Sequence, residues 1–109
     1  MVRIRVSRTA SFRLDEIWHY IRNTSGEPQA ERYIHALFES FEKIETRGVL
    51  SRPIPAAFRV EGFFFRCQKH VIYWKLLSTG EIGIVTILHE RMHQQKRLLE
   101  DVPDGTGPV

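Results

Sequence analysis

The sequence lacks several features that would place it in a familiar class. Its 109 residues include one cysteine, Cys67, so neither an internal disulfide nor a cysteine-based metal cluster can form. No apolar run approaches the roughly 18 residues that a membrane-spanning helix requires. The first residues show neither the apolar core nor the cleavage site of a secretory signal. We therefore expect a protein of the reducing cytoplasm with no membrane partner.

The motifs of common enzyme classes are also missing. There is no G-x-S-x-G turn and no glycine-rich phosphate loop. The string His89-Glu90-Arg91-Met92-His93 does match H-E-x-x-H, which on a helix places two histidines on one zinc ion. Because His89 ends a predicted strand, the two rings would not share a helical face. We therefore expect neither a metal nor another cofactor.

The composition is that of a soluble globular domain, and its charge is divided along the chain. Apolar residues make up 42% and charged residues 27%, with a formal net charge of +3. Residues 1–13 carry +4, residues 14–46 carry −4, residues 47–99 carry +6 and residues 100–109 carry −3. This division predicts an acidic side and a basic side, and the basic side suits nucleic acid or an acidic polypeptide.

The first half of the chain predicts an edge strand and a helical hairpin. Arg3 and Arg5 alternate with aliphatic residues, which is the pattern of a half-buried strand with a charged outer face. Ser7 or Thr9 can cap a helix over about residues 9–23. A second helix begins at Pro28 and ends before Gly48, which is suited to a left-handed C-terminal cap. These helices carry the following apolar positions: Leu14, Ile17, Trp18, Ile21, Ala30, Tyr33, Ile34, Leu37, Phe41 and Ile44.

The second half predicts an antiparallel meander and a short helix. Prolines keep residues 49–57 irregular, and strands follow over 63–67, 70–77 and 82–89, separated by short connectors. A charged helix is predicted over 91–101. The fold class is thus α+β in the order β-α-α-β-β-β(-α), with a helical hairpin on a small, mostly antiparallel sheet. We expect one domain over residues 1–101 and a frayed tail over residues 102–109.

Two residue groups in this half admit more than one interpretation. The run Phe63, Phe64, Phe65 must place a ring on each sheet face, so one ring either forms a binding surface or is covered by the 49–57 loop. Several basic residues could serve a ribonuclease, although we favour the interpretation that they form a solvated basic rim with one strand histidine. They are Arg66, His70, Arg91, His93 and Arg97.

The order and spacing of several short motifs resemble the RelE/ParE family of type II toxin–antitoxin toxins over about residues 3–100. The motifs are Leu14-Asp15-Glu16-Ile17-Trp18-x-Tyr20-Ile21, Ala30-Glu31-x-Tyr33-Ile34, His70-Val71-Ile72-Tyr73-Trp74 and Ile82-x-Ile84-Val85-x-Ile87-Leu88-His89-Glu90-Arg91-Met92. The ending Ile-Leu-His-x-Arg-Met is similar to the ParE branch in particular.

The resemblance implies a growth-inhibiting toxin that a cognate, ParD-like antitoxin neutralises. In the ParE branch the familiar target is DNA gyrase, whereas the RelE branch cleaves mRNA on the ribosome and usually relies on a tyrosine near the C-terminus. That tyrosine is absent here, and Arg97 stands in its neighbourhood. We therefore expect a gyrase-binding toxin that is not an enzyme. The alternatives are a ribosome-dependent mRNA endoribonuclease and an inactive member that only pairs with its antitoxin.

Two sets of basic residues are candidates for partner binding. A hairpin on a small sheet leaves a groove and an open sheet edge, which an antitoxin tail can occupy as a helix and an extended stretch. We predict antitoxin contact by Arg3, Arg5, Arg59 and Arg66. We predict target binding and toxicity from the C-terminal segment through His89, Arg91, His93, Lys96 and Arg97.

Overall fold

A helical hairpin and a short C-terminal helix enclose a five-stranded sheet. The computed structural model describes residues 3–46 and 51–102. Its elements are β1 (Ile4–Val6), α1 (Arg8–Ser25), α2 (Glu27–Glu45), β2 (Arg52–Pro53), a 3₁₀ turn (Ala56–Phe58), β3 (Phe63–Cys67), β4 (His70–Leu76), β5 (Ile82–His89) and α3 (Gln94–Asp101). The predicted α+β class and the order of its main elements are confirmed.

The hairpin of α1 and α2 is built around two caps. The Ser7 hydroxyl accepts the amide hydrogen of Ala10 at 3.0 Å and donates to the carbonyl of Val85 at 2.8 Å, so the cap also fastens α1 to the sheet. Gly26 alone separates the helices, at φ 93°, a backbone conformation that favours glycine. Helix α2 ends with Thr46 as its cap, and Gly48 lies outside the described residues.

The sheet has the order β1-β5-β4-β3-β2, with β1 parallel to β5 and the other pairs antiparallel. The edge position of β1 and the meander of β3, β4 and β5 are confirmed. The irregular structure expected over residues 49–57 is wrong in one respect, because Arg52–Pro53 pairs with β3 as a two-residue strand at the opposite edge. Proline is tolerated there because an edge strand does not need every amide for pairing.

A β-bulge in β5 sets which residues face each side of the sheet. Tyr73 pairs with Thr86 and Trp74 pairs with Ile84, so Val85 is an extra residue. Val85 packs in the cluster that contains Leu98 of α3, and the Thr86 hydroxyl bonds to a carboxylate of the same helix. Two consecutive side chains of β5 therefore face α3, and the alternation resumes one residue later.

Both faces of the sheet are buried in separate apolar clusters. The hairpin side contains Ala10, Leu14, Ile17, Tyr33, Leu37, Phe41, Ile44, Cys67, Ile72, Ile82, Ile84 and Ile87. The α3 side contains Ile54, Val71, Tyr73, Val85, Leu88, Leu98 and Val102. Phe65 packs on the hairpin side, whereas Phe64 packs on the α3 side with Phe58. The phenylalanine run is therefore divided as predicted, and Phe64 packs against the same cluster as Phe58 and Val60 of the loop that follows β2.

Helix α3 is shorter than the predicted helix over 91–101. It begins at Gln94, because His93 is its N-cap and residues 90–92 form a turn in which the amide of Met92 donates to the carbonyl of His89. Val102, which the sequence assigns to the tail, is buried in the cluster on the α3 side. Residues 103–109 lie outside the described residues.

A buried charge network fastens α3 to α1 and β5. The Arg13 guanidinium donates to both carboxylate oxygens of Asp101, from Nε at 3.1 Å and from Nη2 at 2.8 Å. The Thr86 hydroxyl donates to the same carboxylate at 2.8 Å. The bond to Asp101 is the largest cause of the raised pKa of Arg13, while burial acts in the opposite direction. Since Asp101 is only 8% exposed, solvent does little to screen this pair.

Replacing Asp101→Asn should lower the free energy of unfolding by about 2 to 4 kcal/mol, because Arg13 would keep its charge at a half-buried site with the more exposed Glu16 as its remaining carboxylate partner. The measurement is urea denaturation at pH 7. The matched control is Glu100→Gln, where the carboxylate is exposed and lies 3.7 Å from Arg97, and its cost should stay below about 0.5 kcal/mol. Equal costs for the two variants would contradict this account.

Candidate functional site

The five residues predicted for target binding lie in one continuous segment at one end of the sheet. His89 ends β5, Arg91 lies in the turn, His93 caps α3, and Lys96 and Arg97 belong to the first turns of α3. All of them are exposed except His89, which is half-buried. The structure therefore brings this predicted set together on the surface, on a segment attached to the buried strand β5.

Local hydrogen bonds fix the two histidines of this segment. The Nδ1 atom of His89 accepts the amide hydrogen of Arg91 at 3.1 Å, and the Nδ1 atom of His93 accepts that of Lys96 at 3.2 Å. His89 belongs to a strand and His93 to a helix cap, so the H-E-x-x-H string does not form a helical zinc motif. Within residues 3–46 and 51–102, no three side chains of His, Cys, Asp or Glu are grouped to hold a metal ion.

The turn between β5 and α3 is also tied to the neighbouring turn between β3 and β4. The amide of Glu90 donates to the carbonyl of Lys69 at 2.8 Å, and the Glu90 carboxylate forms an ion pair with Arg66 of β3. Arg66 and Lys69 therefore lie beside the segment that carries Arg91. One end of the sheet presents a basic surface in which Glu90 is the acidic member.

The four arginines predicted for antitoxin binding do not converge. Arg3 and Arg5 lie at β1, where Arg5 Nε is 3.2 Å from an oxygen of Glu81. Arg59 caps the 3₁₀ turn in a left-handed conformation, and Arg66 lies on β3. Three strand spacings, about 14 Å, separate β1 from β3. A single partner must therefore contact two separate surfaces to reach all four arginines.

His70, a ribonuclease candidate from the sequence, belongs to a buried network that the sequence did not predict. The Tyr33 hydroxyl lies 2.6 Å from His70 Nδ1 and accepts the amide hydrogen of Lys69 at 3.2 Å. The His89 ring packs edge-on against His70 at 5.1 Å. Burial, and secondarily the nearby His89, lower the pKa of His70 to about 4. The hydrogen bond between the neutral ring and the Tyr33 hydroxyl links α2 to the sheet.

This network predicts a pH-dependent stability. The folded pKa of about 4 lies below the ordinary value of 6.5, so the unfolded chain binds more protons between these values. The free energy of unfolding therefore keeps its full value above pH 6.5. It falls by about 3 kcal/mol as the pH decreases to 4. Urea denaturation from pH 4 to pH 7 measures it. His70→Gln should flatten this slope, whereas His35→Gln, at an exposed position of α2, should leave it unchanged.

If the His70→Gln variant retained the full pH slope, titration of His70 would not be its cause.

The fold and the site define a class of small α+β protein with a helical hairpin on one sheet face and a basic segment at one sheet end. A family model described as the ParE toxin of the type II toxin–antitoxin system parDE matches residues 4–94. The chain therefore belongs to the ParE toxin family, and the predicted ParE-like resemblance is confirmed. No helix in the described ranges combines the length and apolar character needed to cross a bilayer.

Individual relatives agree with this assignment. Toxin ParE1 of Mycobacterium tuberculosis, from strain H37Rv and from strain CDC 1551, is 25% identical over 99 residues, which cover 88% of this chain and 97% of the relative. A chain from the solved structure of the chromosomal ParDE TA system from P. aeruginosa is 18% identical and has a TM-score of 0.65. That match covers 82% of this chain and 96% of the other, and it shows the shared fold.

Proposed function

We propose that this ParE-family toxin arrests growth in the cytoplasm by binding and poisoning DNA gyrase, without a chemical step of its own, and that a cognate antitoxin neutralises it. The observation that carries the proposal is the single segment that presents four basic side chains to solvent, Arg91 on a hydrogen-bonded turn and His93, Lys96 and Arg97 at the start of α3. A fixed cationic surface of this kind suits a partner that works on DNA, because the complex of that partner with DNA carries anionic surfaces.

Two reactive side chains, Cys67 and His70, are placed for packing rather than for catalysis. The Cys67 thiol is buried in β3 and contacts a carbonyl of α2. His70 is buried and neutral, with Nδ1 occupied by the Tyr33 hydroxyl. General acid–base work on RNA needs such a group within hydrogen-bonding reach of substrate. These two residues instead serve the packing between the hairpin and the sheet.

The open edge of the sheet supports the antitoxin half of the proposal. Strand β1 is the terminal strand of the sheet and pairs on one side, with Ile82–Ile84 of β5, so in the described part of the chain its outer edge has no strand partner. An extended antitoxin segment can add there as a strand, beside the cations Arg3 and Arg5. Arg59 and Arg66, near the opposite edge, would then bind a second part of the same acidic tail.

Replacing both Arg91→Ala and Arg97→Ala should relieve growth arrest and raise the toxin concentration needed for gyrase inhibition by at least about tenfold, because two exposed cations would be removed from the target surface. The measurements are growth after induction without antitoxin and supercoiling by purified gyrase. The control is the double variant Arg22→Ala, Arg32→Ala on the hairpin helices, which should stay toxic. Both double variants should still co-purify with antitoxin.

Persistent gyrase inhibition by the Arg91, Arg97 variant would contradict the assignment of these residues. Transcripts cut at codon boundaries, with normal gyrase activity, would replace the proposal with the mRNA endoribonuclease. Neither effect from the wild-type chain would identify an inactive member that only pairs with its antitoxin.

The antitoxin surfaces can be tested separately because they lie at different edges. Replacing Arg3→Glu and Arg5→Glu should weaken antitoxin binding by about tenfold or more at low salt and less at high salt, since the cations would no longer attract an acidic tail. At the other surface, Arg59→Glu with Arg66→Gln should do the same. Glutamine is preferred at 66 because a second carboxylate beside Glu90 would disturb the turn. Binding is measured by titration calorimetry.

The control for both pairs is the double variant Arg22→Glu, Arg32→Glu, which reverses two exposed arginines on the hairpin helices. If either pair bound antitoxin as tightly as this control, that surface would lie outside the interface.

A further inference from the structure

The side chain of Gln94 holds together the turn that carries Arg91. Its Nε2 donates to the carbonyl of His89 at 2.8 Å and to the carbonyl of Met92 at 3.0 Å, one on each side of Arg91. Its Oε1 accepts the hydroxyl hydrogen of Tyr73 at 2.7 Å. One amide group therefore uses both of its donors and its acceptor, and it joins the two ends of the turn to β4.

The orientation of this amide is determined by its partners. Backbone carbonyls can only accept hydrogen bonds, so the NH₂ end of Gln94 must face His89 and Met92. The oxygen then faces the Tyr73 hydroxyl, which has to donate. Tyr73 is 3% exposed, and burial raises its pKa to about 12, so the donor stays protonated at neutral pH. The turn is thereby fixed to a rigid part of the sheet.

Met92 of the turn packs against the apolar cluster on the α3 side, and the other polar side chains give the turn weaker support than Gln94 does. Arg66 pairs with Glu90 but is largely exposed, and an exposed ion pair contributes little to holding a backbone in place. The His89 ring accepts a hydrogen bond from the amide of Arg91, which belongs to the same turn. Gln94 is the side chain that bridges the turn to a buried group of another strand, since its oxygen binds Tyr73 of β4.

We infer that Gln94, anchored by Tyr73, is a positioning residue that holds Arg91 in the conformation needed to bind the target. This inference rests on the proposed function, because it assumes that Arg91 contacts the target. It adds a role for two residues that are not themselves part of the exposed basic surface. The physical reason is that a preorganised turn does not lose conformational freedom when Arg91 binds.

Replacing Gln94→Glu tests the inference with a side chain of the same shape that has no NH₂ donors and places a carboxylate against two carbonyls. We expect amide hydrogen exchange at Arg91 and Met92 to accelerate by about tenfold or more. The toxin concentration for half-maximal gyrase inhibition should rise by a similar factor, while antitoxin binding is unchanged. Exchange is measured by NMR on the complete chain, and inhibition by the supercoiling assay.

The matched control is Gln95→Glu, the same chemical change one residue later, where the side chain donates to the carbonyl of Ala57 at 3.0 Å and does not touch the turn. It should leave exchange at Arg91 and gyrase inhibition at their wild-type values. A second variant, Tyr73→Phe, removes only the anchoring hydroxyl and should produce the same changes to a smaller degree. It serves in place of Gln94→Glu if that variant does not fold.

The outcomes separate this inference from the proposed function. If Arg91→Ala abolishes inhibition while Gln94→Glu and Tyr73→Phe inhibit normally, the inference fails and the proposed function stands. If Arg91→Ala inhibits gyrase as well as the wild type, the proposed role of Arg91 fails, and the inference fails with it. A loss of inhibition in Gln94→Glu without faster exchange in the turn would also overturn the positioning role.

Discussion

The structure depends on the burial of β5 on both of its faces. Both faces of such a strand must be covered by other elements. The hairpin covers one face and α3 covers the other. Strand β1 pairs with one edge of β5, and β4 pairs with the other. The basic segment begins where β5 ends, so its position in space is set by the most buried element of the protein.

The bulge at Val85 adapts this central strand to two different neighbours. Regular alternation would turn Thr86 towards the hairpin, where its hydroxyl would face apolar side chains. The extra residue turns it towards α3, where it bonds to Asp101 and thereby to Arg13 of α1. A local irregularity of the strand thus permits a buried polar network that joins the two layers on either side of the sheet.

The basic surfaces of the protein differ in how firmly hydrogen bonds hold the backbone beneath them. Arg3 and Arg5 belong to a short edge strand, which a partner strand can extend. Arg91 lies in a turn that is bonded to β4 and to the β3–β4 connection. An adaptable edge suits a partner that folds as it binds, whereas a fixed turn suits recognition of a folded surface. The surface at β1 is thus distinct from the surface at Arg91, whereas Arg66 lies beside the Arg91 turn through its ion pair with Glu90.

The pattern of apolar residues was sufficient to predict most elements. The bounds of β3 and β5 agree with the prediction, since the β-branched and aromatic runs end at polar connectors. The two-residue strand β2 was missed because prolines at 53 and 55 indicate irregular structure, and only pairing with β3 makes a strand of Arg52–Pro53. The start of α3 was placed three residues early because a turn followed by a helix has the same charged composition as a longer helix.

The sequence by itself determined the layer architecture, the family and the segment that carries the exposed cations, because periodicity and motif spacing are local properties of the chain. Only the tertiary structure decided that Tyr33 meets His70, that Arg13 meets Asp101, and that Gln94 meets Tyr73. These partners are 37, 88 and 21 residues apart, and each pair is brought together by the packing of whole elements. A hydrogen bond needs its two atoms within about 3 Å, and no sequence spacing of that length fixes such a distance.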